Sequence, residues 1–205
     1  MASKTAICNR ALEFLGQSGV TSIDSSQPAA KALRRVYDDT RRALLEDHPW
    51  NFAKKRASIP ASATEPDWGF TTGFPVPSDY LRLISIENEP AFSIEADPSG
   101  SQWILTDAAA PLAILYVYDV TDTGRYPPSF VDAFASRLAF DTCEDITQSN
   151  TKKQAIADLH TSFLLKAKQI NGLQKQAIGF KTFSFVRSRG GRSILPYADG
   201  TGEPR

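Results

Sequence analysis

The sequence predicts an α+β fold: a helical body assembled from N- and C-terminal helices, an inserted antiparallel β subdomain, and an extended C-terminal arm. Three observations predict it. Apolar residues recur at three- and four-residue spacing before Pro49 and again after Pro128, as on the buried stripe of an amphipathic helix. Between these stretches the chain turns to Pro, Gly, Ser and Thr broken by short aromatic and β-branched runs, the composition of strands and turns. After Gly179 both patterns stop. A chain of 205 residues can bury one substantial core, and the composition divides it into helical 1–56, β-rich 57–125, helical 126–178 and arm 179–205.

The first helix has Ser3 as its N-cap, Ile7, Ala11, Phe14 and Leu15 on one stripe, and Gly16 to end it. Ser26 and Pro28 start the second, with Ala29, Leu33, Val36, Tyr37, Thr40, Ala43 and Leu44 along one face; Pro49 stops it. Strands are expected over Tyr80 to Ile86, Phe92 to Ala96, Gln102 to Thr106 and Leu112 to Val120. Asn88-Glu89-Pro90 and Asp97-Pro98-Ser99-Gly100 between them suit hairpins. A third helix follows Pro127-Pro128-Ser129, with Phe130, Val131, Phe134, Leu138 and Ile146 on its apolar face. Asn150 or Thr151 then caps a fourth, with Ala155, Ile156, Leu159, Phe163, Ala167 and Ile170.

Lys plus Arg number 23, as do Asp plus Glu, so no net field draws the molecule onto nucleic acid or an anionic membrane. Cys8 and Cys143 each fall inside a helical pattern, which fits buried thiols in a reducing compartment better than a disulfide framework. No stretch has the length of a membrane span, and the opening residues run into a helix without an apolar signal region. Synthesis in the cytoplasm is the expectation.

The supply of catalytic groups is thin. His48 precedes Pro49 at a helix end, and His160 has no second His or Cys at ligand spacing; both read as structural. There is no Gly-rich phosphate loop, nucleophile elbow or Cys-x-x-Cys. Glu87 and Glu95 could form a glycosidase-like acid pair, although solvated turn and strand-edge acids explain them equally. The expectation is no catalytic residue, no metal and no cofactor.

Charge is segregated instead. From Leu83 to Gly124 there is no Lys or Arg, yet Glu87, Glu89, Glu95, Asp97, Asp107, Asp119 and Asp122 are present. The compensating charge lies in the second helix (Lys31, Arg34, Arg35, Arg41 and Arg42), in Lys54-Lys55-Arg56 and in the arm. A bipolar subunit of this kind can pack head-to-tail around a ring, one subunit's acidic face on its neighbour's basic face.

Several segments resemble the tail tubular protein A family, the head-to-tail adaptors of short-tailed phages. They are Ile7-Cys8-Asn9-Arg10-Ala11-Leu12-Glu13-Phe14-Leu15-Gly16, the helix Ala29 to His48, and the run Arg42-Ala43-Leu44-Leu45-Glu46-Asp47-His48-Pro49-Trp50-Asn51-Phe52-Ala53. Pro77-Ser78-Asp79-Tyr80-Leu81-Arg82-Leu83 completes the set. The likeness is strongest over the first half, and Trp-Asn-Phe-Ala at a helix end is its most telling part. On the residues alone, Trp50 and Phe52 anchor the second helix onto the sheet. The resemblance implies a virion protein, commonly a dodecameric ring of identical subunits, at the head-tail junction between portal protein and distal tail nozzle. Such a ring surrounds the channel through which DNA leaves. A channel wall gains from carboxylates, because every phosphate paired with Lys or Arg acts as a salt-dependent brake. The acidic insertion is accordingly expected to face the lumen or the nozzle, and DNA is expected to pass without specific binding.

The arm offers Phe180, Phe183, Phe185, Ile194, Leu195 and Tyr197 as apolar anchors and Arg187, Arg189 and Arg192 as partners for carboxylates, with Gly190-Gly191 as a bend. This composition suits docking on the portal. Two alternatives remain: a nucleic-acid-binding module that stacks bases on the arm's Phe residues, and a carbohydrate-degrading tail component with paired acids in an aromatic groove.

Overall fold

The computed structural model describes residues 2–174 and is α+β, with four helices and two three-stranded antiparallel sheets in this region. The arm from 179 onward, including Phe180, Phe183, Phe185, Arg187, Arg189, Arg192, Ile194, Leu195 and Tyr197, lies outside the described residues.

Helix α1 spans Lys4–Phe14, and the Ser3 side chain accepts from the Ala6 N–H as its N-cap. Gly16 closes it at φ +64°, a left-handed position that costs glycine least. Helix α2 spans Pro28–Asp47 with proline in its first turn, where the missing N–H has no intrahelical partner to lose. Helix α3 spans Pro128–Thr147 and α4 spans Asn150–Leu173. The cap of α4 is Ser149, whose hydroxyl accepts from the Lys152 N–H, one residue before the expected Asn150 and two before Thr151.

The four helices share a core that includes Ile7, Leu12, Leu33, Leu45, Phe134 and Leu138. Trp50 and Phe52 join it, but not as an anchor onto the sheet. Trp50 is 1% exposed and packs edge-on against Phe130 of α3 at 5.1 Å between centroids, and Phe52 meets Phe130 at 4.8 Å. The Trp50 indole Nε1–H donates to the Leu44 carbonyl at 2.8 Å, which satisfies the ring's one buried donor. The Trp-Asn-Phe turn therefore fastens the end of α2 to the start of α3.

Strands β1 (Lys54–Ile59), β6 (Leu112–Tyr118) and β3 (Tyr80–Ile86) form one sheet with β6 in the middle. Strands β2 (Thr72–Pro75), β5 (Gln102–Thr106) and β4 (Phe92–Ala96) form the other, with β5 in the middle. Leu112, Ile114 and Tyr116 of β6, Ile59, Ile86, Phe74 and Ile104 make a second core from both sheets, while Val117 points into the helical core. The sequence expectation missed β1 and β2. Lys54-Lys55-Arg56 belongs to a strand, so the β region begins at Lys54 and not at residue 57. Gly73 sits in β2 because the Trp103 ring covers it; a Cβ there would lie 2.4 Å from Trp103 Cε3. Among the described residues no helix is long and apolar enough to cross a membrane.

Candidate functional site

The basic residues expected on the second helix are exposed in part, and they share its surface with Asp38, Asp39, Glu46 and Asp47. Lys31, Arg34, Arg35 and Arg42 are exposed on α2. Arg34 lies 3.9 Å from Asp24, and Arg35 pairs with Asp145. Arg41 departs from the expectation of a subunit contact: it is 5% exposed and spends its charge inside the chain. Its Nε and an η nitrogen donate to the two Asp119 oxygens at 3.0 and 2.9 Å, and its other η nitrogen pairs with Asp38. Burial pulls the guanidinium pKa down, but the hydrogen bonds and charge of Asp119 outweigh it and the net direction is up. A fork-to-fork pair of this geometry is specific as well as strong.

Asp119 is corrected by the same contact. It was expected on the acidic outer face, yet it sits just past β6 as the largely buried partner of Arg41, with the Arg42 Nε also at 3.2 Å. Helical periodicity cannot announce such a pair, because the two residues stand 78 positions apart. Asp122 is exposed but locally engaged: it accepts from the Gly124 N–H and stands 3.6 Å from Arg125.

Glu87, Glu89, Glu95 and Asp107 are exposed and Asp97 half-buried, all in the β region. None of these five has an ion-pair partner among the described residues. Three of them are held by local hydrogen bonds, Asp97 and Asp107 at loops and Glu95 along β4. Asp97 accepts from the Ser99 and Ser101 N–H groups and from the Ser99 hydroxyl, which holds its carboxyl below the ordinary range. Asp107 accepts from the Thr71 N–H and hydroxyl at 2.9 and 3.0 Å, tying the loop before β2 to the end of β5. Glu95 accepts from the Ser93 hydroxyl.

No protein-family model matches the chain, and no curated protein is similar to it.

A cleft of about 450 Å³ opens beside β4 and β5, lined among others by Trp68, Phe70, Glu95, Asp97 and Trp103. Glu87 lines a different depression, with Arg56 and Ser85, so Glu87 and Glu95 do not converge on one pocket. The aromatic lining was missed in the sequence because Trp68 lies in a Pro/Gly-rich loop without periodicity. It is 87% exposed. The same region holds a further missed feature: Phe92 and Ile94 are 47% and 39% exposed on β4, an edge strand.

The histidines are held by structure. Asn171 Nδ2–H donates to His48 Nε2 at 2.9 Å, and His160 Nδ1 lies 3.1 Å from the Ser136 hydroxyl. Burial lowers both pKa values, helped by Lys168 near His48 and Arg137 near His160. Cys8 and Cys143 are buried free thiols, and burial pushes Cys8 up to about 12.

Proposed function

We propose that this chain is a ring-forming structural subunit of a phage head-to-tail adaptor, joining portal to tail nozzle around the DNA channel. The observation that carries the reading is the separation of charge within one folded unit. In the base-free stretch Glu87, Glu89, Glu95, Asp97 and Asp107 have no ion-pair partner among the described residues, and α2 exposes Lys31, Arg34, Arg35 and Arg42 beside its own Asp38, Asp39, Glu46 and Asp47. Opposite charges on different surfaces of one subunit favour heterologous contacts, which close into a ring when the rotation allows. The acidic carboxylates also suit a channel wall that must not retain DNA.

The test is the mass of the purified protein alone and mixed with portal rings, by native mass spectrometry or sedimentation. A ring that joins the portal is the expected result. A monomer that ignores the portal at every salt concentration removes the reading.

The aromatic cleft favours a second reading, in which Trp68 stacks on a sugar ring and Glu95 and Asp97 accept its hydroxyls. A lowered Asp97 pKa is the wrong direction for a general acid, so this reading extends to binding alone. Quenching of Trp68 fluorescence by host-surface oligosaccharides would support it, and a flat titration would end it.

A further inference from the structure

Four carboxylates line the cleft beside β4 and β5: Glu65, Asp67, Glu95 and Asp97. None has an ion-pair partner among the described residues, and no Lys, Arg or His stands in the lining. The sequence around them supplies little to neutralise them, because Arg82 is the one Lys or Arg between Arg56 and Arg125. Glu95 and Asp97 each use a single oxygen in bonds to Ser93 or to Ser99 and Ser101, so the other oxygen of each is left for an incoming donor. The four are too dispersed for an ion-sized cation: among the described residues no three His, Cys, Asp or Glu side chains come together as a metal site. Such spacing suits a larger, organic cation, and the exposed face of Trp68 at the cleft attracts an ammonium group.

Trp103 adds an unmet donor to the same cleft. It is 6% exposed, and its indole Nε1–H is buried without an acceptor among the described residues. Ile104 belongs to the second core, so its neighbours Trp103 and Leu105 lie on the opposite face of β5, where both line the cleft. The ring atoms nearest a Cβ placed on Gly73 are Cε3 and Cζ3, the indole edge remote from Nε1. Nε1 is thus turned away from β2. Glu95 of β4 stands opposite Trp103, and the cleft is lined from β4, β5 and the 64–70 loop with no residue of β2. Buried polar groups are as a rule hydrogen-bonded, so a donor in this position calls for an acceptor brought from outside the chain.

We propose that the cleft binds a saccharide carrying a free amino group, an inference that rests on the saccharide reading above and names its ligand class. Such a ligand meets both demands at once. Its ammonium donates to the free carboxylate oxygens, in charge-assisted hydrogen bonds stronger than those of a neutral hydroxyl. A ring or hydroxyl oxygen accepts from Trp103 Nε1–H, while Trp68 lies against the face of the sugar. A neutral sugar forgoes the charge, and a linear polyamine forgoes the acceptor. Phosphorylated and uronic sugars meet four like charges and are turned away, which makes the acids a device of selectivity as much as of attachment. The volume of about 450 Å³ is that of a small-molecule site.

The test titrates the full chain, by calorimetry, with three tetrasaccharides of one linkage that differ in a single substituent: glucosamine, N-acetylglucosamine and glucose. Mildly acidic buffer keeps the amines protonated and the carboxylates ionised. The glucosamine oligomer should bind about tenfold tighter than the other two, or more, and lose that advantage at high salt. Glu65→Gln with Asp67→Asn, at exposed positions, should reduce the advantage. Trp103→Phe keeps a ring over Gly73 and removes the N–H; it should weaken binding of all three without changing their order. Spermidine, which has the charge and no oxygen, should bind more weakly than the glucosamine oligomer. Equal binding of the three saccharides overturns the proposal and leaves the saccharide reading standing, whereas binding of none overturns both. Spermidine binding as tightly as the glucosamine oligomer also overturns it, since charge alone would then decide. Unchanged affinity in a Trp103→Phe chain that unfolds like the unaltered one removes the part assigned to Nε1–H. Should that variant fail to fold, the ligand series on the unaltered chain still decides.

Discussion

Asn171, in the last turn of α4, is joined to Asn51 by two hydrogen bonds of 2.8 Å. The Asn51 N–H donates to Asn171 Oδ1, and Asn51 Nδ2–H donates to the Asn171 carbonyl. With the His48 contact, one amide side chain thus ties the end of α4 to both sides of the Trp50 turn. Asn171→Ala should lower stability by about 1 to 3 kcal/mol, the range for stranding partly buried partners. Urea unfolding of the full chain measures this, and an unchanged midpoint would mean water replaces the side chain without loss.

The His48 contact makes stability depend on pH. A donor at Nε2 requires the neutral ring, and burial lowers the folded-state pKa below its ordinary 6.5. The folded state therefore binds fewer protons than the unfolded one in this range. The contribution is complete above about pH 6.5 and is lost as pH falls through the depressed folded value. His160 acts in the same direction. The melting temperature should fall between about pH 7.5 and about pH 5.5, and His48→Gln with His160→Gln should flatten that fall. An equally steep fall in the double variant would assign it to carboxylates.

Trp50 is the largest fully buried side chain. Trp50→Ala should cost about 3 to 5 kcal/mol, and Trp50→Phe less, since it retains much of the edge contact with Phe130 and loses the bond to the Leu44 carbonyl. Thermal unfolding of both variants ranks them. Equal loss in the two would locate the whole effect in the hydrogen bond.

Arg41 and Lys31 separate folding from assembly. Arg41→Ala removes the bidentate partner of Asp119, leaves it Arg42 alone, and should destabilise the monomer by about 1 to 3 kcal/mol. Lys31→Glu with Arg34→Glu alters exposed positions and should leave unfolding almost unchanged while weakening subunit association at low salt. Sedimentation and calorimetry on the same samples distinguish the two effects. Normal folding with lost association in Arg41→Ala would move Arg41 back to the surface.

The helices and four of the six strands were legible because burial imposes a period on the residues that form them. Strands β1 and β2 were not. Lys54 to Ser58 hold only one side chain that periodicity would mark, Ala57, and depend on β6 for their extended form. Gly-Phe-Pro reads as a turn until Trp103, thirty residues on, is seen covering Gly73. The same limit governs the site. Charge segregation could be read from composition, but which charges are internal depends on long-range pairing. Arg41 and Asp119 therefore looked like surface groups, and exposure at Phe92 and Ile94 depends on β4 being an edge, which no local pattern states.

The central position of β6 has a mechanical consequence. It is hydrogen-bonded to β1 and β3 on its two sides, and the residue that follows it, Asp119, is clamped to α2. Tension drawn along this strand meets two rows of hydrogen bonds side by side and must shear both together. A pull exerted on the sandwich is thereby handed to the helices as a shared load, and the subunit should resist stretching along β6 far better than peeling at β4.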